Sequence, residues 1–584
     1  MTRERSWPTV TGAWLFVSAV LCVATAPTIA GLRFPDPDDA MRLLEVRDWL
    51  GGQSWWDVGQ HRLNGGNFSM HWSRLVDLPL ALVMTLVGPL TTPGVADRIA
   101  MTIVPLLTLL AVMAGVAVMT RHLAGREVMT LALLMTALSV PLVYQVRPMR
   151  IDHHGWQIAL AVAAMAALIG RPTGKRGIWA GSALAALVTI SLEGFPIAAI
   201  ITTVAALAWV IEPSSRSVLR SLATSFFGFA LVLHVATRGP GAWAASCDAI
   251  SPAWLAALGV ASVGIVVATF AKPSSRLTRL ATQGVTGIAA GGTLLAAAPV
   301  CARGPFASLD PLVRALWYEQ VSEGLPIWEQ PLAWAVITVA LPVVGIIGTV
   351  LAVRRAPVER RFGWQFLLAV LIPAFLLSCL VNRTGATANA LALPGAASLL
   401  LVLLTRARAI YSVPLRILAT IAAFLATSPG LVAAAAALGG VGARTSTMQG
   451  LAGASRQPCE RFDQVRGLAQ LPPGTIFLPI DVTPDLIATT THRAISGGYH
   501  RNAAAMHRVL AAFTGSPAAA ERIVRASRAD YVAGCAGLNE TRLYNAVAPQ
   551  GLWARLQRGE RVAWLQPLPI DGSPVLAWKV VRRR

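Results

Sequence analysis

The first residues with chemical potential are three acids that directly follow an apolar N-terminal stretch. Asp36, Asp38 and Asp39 lie within four residues of one another. Carboxylate oxygens are the natural ligands of a hard divalent cation. Aspartate is also favoured at helix N-caps, so the alternative is a solvated acidic turn. We take Asp38 as the candidate ligand and Asp39 as its reserve, since the register can differ by one residue.

A second group, Asp152-His153-His154, follows another apolar stretch. In an extended segment, side chains two residues apart point the same way, so Asp152 and His154 are expected to hold one ion. His153 is the reserve. A histidine with a carboxylate suits Mn²⁺, and Mg²⁺ less well. The alternative is a polar loop whose histidines bind nothing.

Two further candidates are Glu323, in a long polar segment, and Arg383, between two apolar stretches. A lone arginine at that depth is costly and tends to be functional. Its planar guanidinium is suited to a phosphate. The alternatives are the end of a surface helix for Glu323 and simple extension to the membrane interface for Arg383.

Long apolar stretches must position these residues. The chain has 55% hydrophobic and 13% charged residues and a mean hydropathy of +0.59, whereas soluble domains carry about 25% charged residues. We predict about thirteen membrane spans and, because it is short and rich in proline and glycine, a re-entrant or interfacial segment at 78–92. The predicted spans are 10–32, 101–120, 127–145, 157–170, 178–192, 196–211, 221–236, 252–271, 284–300, 332–353, 363–381, 386–405 and 414–437.

The basic residues predict the orientation of these spans. Clusters such as Arg121/Arg126 and Arg354/Arg355 fall in alternate loops, as expected for cytoplasmic loops. This places the N-terminus in the cytoplasm and every candidate site residue outside it, in a plasma or bacterial inner membrane. The net charge of +21 therefore does not indicate a nucleic-acid partner.

The chain divides into two parts by composition. Residues 1–438 are predicted to form the membrane domain, with outer loops 33–77, 146–156, 237–251 and 301–331, and 439–584 a small soluble α/β domain outside the membrane. Of the six cysteines, two fall in outer loops and two in the outer domain. Disulfides Cys247–Cys301 and Cys459–Cys535 are one possibility in an oxidising compartment, and free thiols are the other.

Taken in order, these motifs resemble those of the catalytic subunit of oligosaccharyltransferase, a membrane glycosyltransferase of the GT-C superfamily. That family has thirteen spans and an outer C-terminal domain. It carries an essential aspartate in the first outer loop, a D-x-D-like motif that is often Asp-His-His in archaeal members, a Ser-Val-Ser-Glu-type motif, and an arginine near the eleventh span. The corresponding residues here are Asp38 ahead of Arg47-Asp48, Asp152-His153-His154, Val321-Ser322-Glu323 with Pro326, and Arg383.

The resemblance, over about residues 10–405, implies a fold and a function. It implies a mainly α GT-C fold and transfer of a sugar or oligosaccharide from a polyprenyl phosphate or pyrophosphate carrier to an acceptor on the extracytoplasmic face. Asp38 and Asp152 would be catalytic and, with His154, would hold Mn²⁺ or Mg²⁺. Glu323 would be catalytic through the acceptor, and Arg383 would bind the donor phosphate.

The chain also departs from the family pattern. The family's C-terminal domain reads its acceptor through a Trp-Trp-Asp-Tyr-Gly motif, and the only similar string here, Trp55-Trp56-Asp57-Val58-Gly59, lies in the first outer loop. Its tryptophans are expected to be interfacial anchors, and the acceptor is left open.

Other functions are also open. One is a monosaccharide transferase with a polyprenyl phosphate donor, another a transporter or flippase of lipid-linked glycans, and a third a non-catalytic membrane scaffold. A transporter is expected to carry polar residues near the middle of its spans, whereas these acids collect at one surface.

Overall fold

The computed structural model describes residues 6–170, 172–438 and 459–581. The predicted boundary between 438 and 439 adjoins residues outside these ranges. Most of the chain up to 438 is helical, since a helix satisfies its own backbone hydrogen bonds in lipid. The α-helices of this part are Trp7–Ala24, Ala26–Ala30, Pro37–Leu50, Asp77–Val87, Pro93–Ala124, Arg126–Thr136, Val140–Val146, His154–Leu168, Gly174–Ile190, Phe195–Ile211, Arg216–Arg238, Pro252–Ala271, Arg276–Ala297, Pro311–Leu316, Leu332–Arg355, Val358–Leu380, Gly385–Arg408, Val413–Thr427 and Pro429–Leu438.

Every predicted span contains helix, and the chain is an integral membrane protein. Within the described ranges, nine helices are long and apolar enough to cross a membrane, and the count is eleven if each of two bent pairs is one span. The remaining two predicted spans are His154–Leu168 and Gly174–Ile190, with 15 and 17 residues. A span takes about 20 residues, with a lower limit of roughly 17, so the first helix is too short for a straight span and the second is at the limit. The prediction of thirteen spans is therefore not confirmed.

Small residues allow the helices around the site to approach closely. A Cβ on Gly181 would lie 2.1 Å from Oγ of Ser225, and one on Gly348 would lie 2.0 Å from the carbonyl oxygen of Gly395. Close backbone approach through glycine is a common way for membrane helices to associate. The second contact joins Leu332–Arg355 to Gly385–Arg408, the helix that begins just after Arg383.

The outer domain confirms the prediction of a small α/β unit. Its five-stranded sheet has the order β2-β1-β3-β5-β4. Strand β1 is parallel to β2 and β3, whereas β5 is antiparallel to β3 and β4. The strands are β1 Thr475–Phe477, β2 Arg493–Ala494, β3 Tyr531–Gly534, β4 Leu565–Leu568 and β5 Leu576–Val580; the α-helices are Thr483–Thr489, Ala503–Thr514, Pro517–Ala526, Asn539–Val547 and Leu552–Gln557.

The first outer loop packs directly against this domain. Nη1 of Arg47 donates to the carbonyl of Ala488 at 2.6 Å, and the backbone N–H of Ala494 donates to the carbonyl of Arg62 at 2.9 Å. Disulfides Cys247–Cys301 and Cys459–Cys535 are both formed. The outer loops and the outer domain therefore form one layer above the membrane helices.

A buried carboxyl group makes the stability of this domain depend on pH. Glu540 accepts hydrogen bonds from the backbone N–H groups of Ile480 and Asp481 at 2.8 and 2.9 Å. Burial, followed by the nearby Asp481 carboxylate, raises the pKa of Glu540 to about 8, against about 4.3 in an unfolded chain. Because the folded state holds the extra proton, the free energy of unfolding should fall as pH rises from about 4 to about 8.

We expect thermal unfolding of the full chain to show a melting temperature that decreases over this pH range. Glu540→Gln removes the titrating group, so its melting temperature should change less with pH, whatever its value at pH 5. An equal slope in the two proteins would contradict the assignment to Glu540.

Candidate active site

Asp36 and Asp39 build the first turn of helix Pro37–Leu50 and join it to the second outer loop. Oδ1 of Asp36 caps the helix by accepting from the backbone N–H of Asp38 at 3.0 Å. The fully buried Asp39 accepts from the N–H groups of Ile151 and Asp152, at 2.8 and 3.1 Å. The carboxylate of Asp39, the reserve candidate, is therefore already used to hold the two loops together.

Asp38 differs from its neighbours because its carboxylate is left without a donor. In the described part of the chain, no hydrogen-bonding group or cation pairs with it directly. Burial, and then the carboxylates of Asp36, Asp152 and Glu323, raise its pKa well above the ordinary value. The structure thus brings Asp38, Asp152 and Glu323 around one space, where a cation would offset their repulsion.

Arg150 is the buried cation that organises these acids. Its Nη1 lies 3.1 Å from Oδ2 of Asp39 and 3.5 Å from Oδ2 of Asp36, and its Nη2 lies 3.3 Å from Oδ2 of Asp152. This one guanidinium therefore contacts three of the clustered carboxylates.

Asp152, His153 and His154 form a compact ligand set. Nδ1 of His154 lies 2.6 Å from Oδ2 of Asp152, and Nδ1 of His153 contacts Oδ1. One ligand atom from each residue lies within 4.8 Å of the others. Nε2 of His154 is buried without a hydrogen-bond partner. The three residues therefore fit a divalent cation.

The reason given from sequence for this convergence was wrong. His153 has φ −72° and ψ −18°, and His154 begins a helix, so the segment is not extended. Asp152 instead contacts both imidazoles from just before the start of the helix. Burial alone would raise the pKa of Asp152, but the two adjacent imidazoles hold it well below its ordinary value. Asp152 is therefore ionised throughout the physiological range.

Glu193 is a site residue that the sequence argument missed. It lies in the turn Leu192–Gly194 between two apolar helices. Its Oε2 lies 3.1 Å from Nε2 of His153 and 3.7 Å from Nε2 of His154. Its Oε1 contacts Nη1 of Arg383. The sequence signal that indicates Glu193 is a single acid in a short outer turn between two apolar stretches.

Arg383 joins this group to the long outer loop. Its Nη1 lies 3.7 Å from Oε1 of Glu323. The backbone N–H of Asn382 donates to the carbonyl of Leu325 at 3.2 Å, which ties the loop to the arginine turn. The structure thus brings Glu323 and Arg383, 60 residues apart in sequence, to the same side of the site.

A cavity extends from Arg383 between the membrane helices. Its polar lining includes Arg383, Glu193 and His154, and its apolar lining includes Ile158 and Leu377. Nε of Arg383 and an amide nitrogen of Gln157, which also lines it, are buried without hydrogen-bond partners. A polar head and an apolar wall suit a lipid with an anionic headgroup.

The outer domain closes the site through Tyr499. Its ring packs at 5.7 Å against both Trp72 and Phe68, and its hydroxyl is buried without a partner. Burial, and then the carboxylates of Asp38 and Glu45, raise its pKa well above the ordinary value. Tyr499 therefore keeps its proton beside the carboxylates.

Comparison with known proteins supports the fold. No protein-family model matches the chain, and no curated protein matches it significantly by sequence. The oligosaccharyltransferase AglB from Archaeoglobus fulgidus, solved with an inhibitory peptide and a dolichol-phosphate, superposes with a TM-score of 0.65 at 14% identity, over 90% of this chain and 69% of that one. A structure of the Archaeoglobus fulgidus oligosaccharyltransferase with Zn and sulfate gives a TM-score of 0.62 at 14% identity, over 97% of this chain and 73% of that one.

The helical membrane body, the outer α/β domain and this superposition all support the same fold. The chain has a GT-C fold of the oligosaccharyltransferase type.

Proposed function

We propose that this protein is a membrane glycosyltransferase that moves a sugar or oligosaccharide from a polyprenyl phosphate or pyrophosphate carrier to an acceptor on the extracytoplasmic face. The observation that carries the proposal is the position of Arg383. It lines a cavity that also has apolar lining residues. It also contacts Glu193 and lies near Glu323, two acids of the candidate site. The dolichol-phosphate bound by AglB supports a lipid phosphate there.

Arg383 binds the donor phosphate in this proposal. Its guanidinium is charged at all relevant pH values and matches the geometry of phosphate oxygens. When the glycosidic bond to the phosphate breaks, negative charge grows on the leaving group, and a fixed cation stabilises it. In this structure Nη1 of Arg383 donates to Oε1 of Glu193. The donor phosphate would displace the Glu193 carboxylate from this contact.

Asp38, Asp152 and His154 would hold Mn²⁺ or Mg²⁺, with His153 as the alternative nitrogen ligand. Bound there, the ion would act as a Lewis acid on the leaving phosphate. The fit rests on the unpaired Asp38 carboxylate and the unpartnered Nε2 of His154. The Zn in the Archaeoglobus fulgidus oligosaccharyltransferase structure supports divalent cation binding.

Glu323 positions the acceptor, since its carboxylate faces Asp38 and Arg383 from the long outer loop. We expect Glu323→Gln to raise the KM for the acceptor about 10- to 100-fold, the effect of losing one charged hydrogen bond. Steady-state rates at varied acceptor and saturating donor measure this. A change confined to the KM for the donor would contradict the role.

The proposal is tested with the purified full-length chain and a polyprenyl-linked glycan. Because the acceptor is unknown, it is found first by mass spectrometry of surface glycans and glycoproteins from cells with and without the gene. We expect one glycan to disappear, and the purified chain with Mn²⁺ or Mg²⁺ to restore it on deleted-strain membranes. Translocation of the lipid without bond cleavage would indicate a flippase, and no turnover with either metal would indicate a scaffold.

A further inference from the structure

A second cluster of histidines and acid lies outside the candidate active site, where three separate segments meet. His71 belongs to the first outer loop, Asp248 to the loop before helix Pro252–Ala271, and His500 to the outer domain. One ligand atom from each residue lies within 4.8 Å of the others. We propose that these three residues bind a divalent transition-metal ion of the zinc class, which fastens the outer domain to the membrane body.

The ligand atoms are close to the spacing that a metal requires. Nε2 of His500 lies 2.6 Å from Oδ2 of Asp248, and the two imidazole rings are 4.7 Å apart. Two ligands at about 2.0–2.1 Å from a tetrahedral zinc are about 3.3 Å apart, so small side-chain shifts suffice. Water would supply the fourth ligand.

A simple hydrogen-bonded pair does not account for the whole cluster. His500 and Asp248 satisfy each other, which leaves His71 without a role. Its Nδ1 is buried and has no hydrogen-bond partner. This ring nitrogen is therefore available to bind a metal ion.

Arg501 orients the carboxylate. Its Nε lies 2.7 Å from Oδ2 of Asp248, and its Nη2 lies 2.7 Å from Oδ1. Carboxylates that bind metals are commonly held by such an outer hydrogen bond. The guanidinium also places a positive charge nearby, which disfavours ions held by charge alone. Two imidazole nitrogens therefore favour zinc over magnesium or calcium.

The position of the cluster predicts its effect. Cys247, beside Asp248, is in a disulfide with Cys301, so that loop is already anchored. His71 precedes Trp72, and His500 follows Tyr499, and these two aromatic residues pack together at 5.7 Å at the edge of the active site. A metal ion here would hold that wall of the site in place without contacting the reacting groups.

The test uses Co²⁺ as a visible probe of the full-length chain in detergent. An Asp152→Asn/His154→Gln background removes candidate ligands at the active site. We expect this protein to bind one equivalent of Co²⁺ with visible d–d absorption, displaced by Zn²⁺. Adding His71→Gln should weaken Co²⁺ binding by at least about 10-fold.

The matched control is His507→Gln in the same background. His507 is also an outer-domain histidine paired with an outer-loop acid, and its Nδ1 lies 2.9 Å from Oδ1 of Asp310. In the described structure this pair has no third ligand nearby. It should leave Co²⁺ binding unchanged. If His71→Gln fails to fold, His500→Gln takes its place.

A measurement on the Asp152→Asn/His154→Gln protein, with no further histidine substitution, gives an independent readout. Zn²⁺ should raise its melting temperature and protect His71 and His500 from chemical modification at the imidazole. Absence of a bound Co²⁺ equivalent, or equal binding in the His71→Gln and His507→Gln proteins, would overturn the proposal.

Discussion

Asp152→Asn is expected to lower the rate of glycan transfer by about 10³-fold, the scale of losing one preorganised charged group in a catalytic site. Asp152 is ionised and contacts His154 at 2.6 Å and Arg150 at 3.3 Å. Asparagine keeps the shape but removes the charge that would bind the cation and hold both imidazoles. The measurement is the initial rate of donor consumption at saturating Mn²⁺.

The control is Asp571→Asn, which changes an exposed aspartate of the outer domain and should leave the rate unchanged. Both variants are compared by size-exclusion profile and melting temperature, because a broken buried ion pair also destabilises. A folded Asp152→Asn protein with full activity would falsify the proposed centre.

Arg383→Lys is expected to lower the rate about 10²-fold or more, because an ammonium cannot replace a guanidinium that contacts Glu193 and Glu323 and also binds phosphate. We expect the loss to be greater in kcat than in the KM for the donor, since leaving-group charge develops in the transition state. Steady-state rates at varied donor concentration separate the two.

Arg303→Lys provides the matched substitution at an exposed arginine of the same outer loop as Glu323. It should leave both constants unchanged. If the Arg383→Lys protein lost only affinity for the acceptor, Arg383 would belong to the acceptor site. The donor site would then have to be reassigned.

Composition and charge predict an outer position for the candidate residues. Apolar stretches and basic loops obey the energetics of the bilayer locally, so each can be recognised without its neighbours. The same rules do not confirm all thirteen predicted spans, and they do not show that Arg126–Thr136 and Val140–Val146, predicted as one span, are bent by 70° at their break. That bend depends on packing against other helices.

The roles within the acidic turn were not predictable in the same way. Asp38 and Asp39 are adjacent and chemically identical, and the sequence offers no reason to separate them. The fold does so by directing Asp39 at the backbone of Ile151 and Asp152, which leaves Asp38 free to face the cluster. Which side of a helix faces a neighbouring loop is decided by tertiary packing.

The sequence by itself determined that this protein is an integral membrane protein, and it predicted the side of the membrane and most of the candidate residues. Each of these follows from transfer energies and ligand chemistry that a residue carries with it. Only the tertiary structure recruited Glu193 and Tyr499 and brought His71, Asp248 and His500 together. These contacts join segments separated by up to hundreds of residues, and their distances depend on how helices, loops and the outer domain pack.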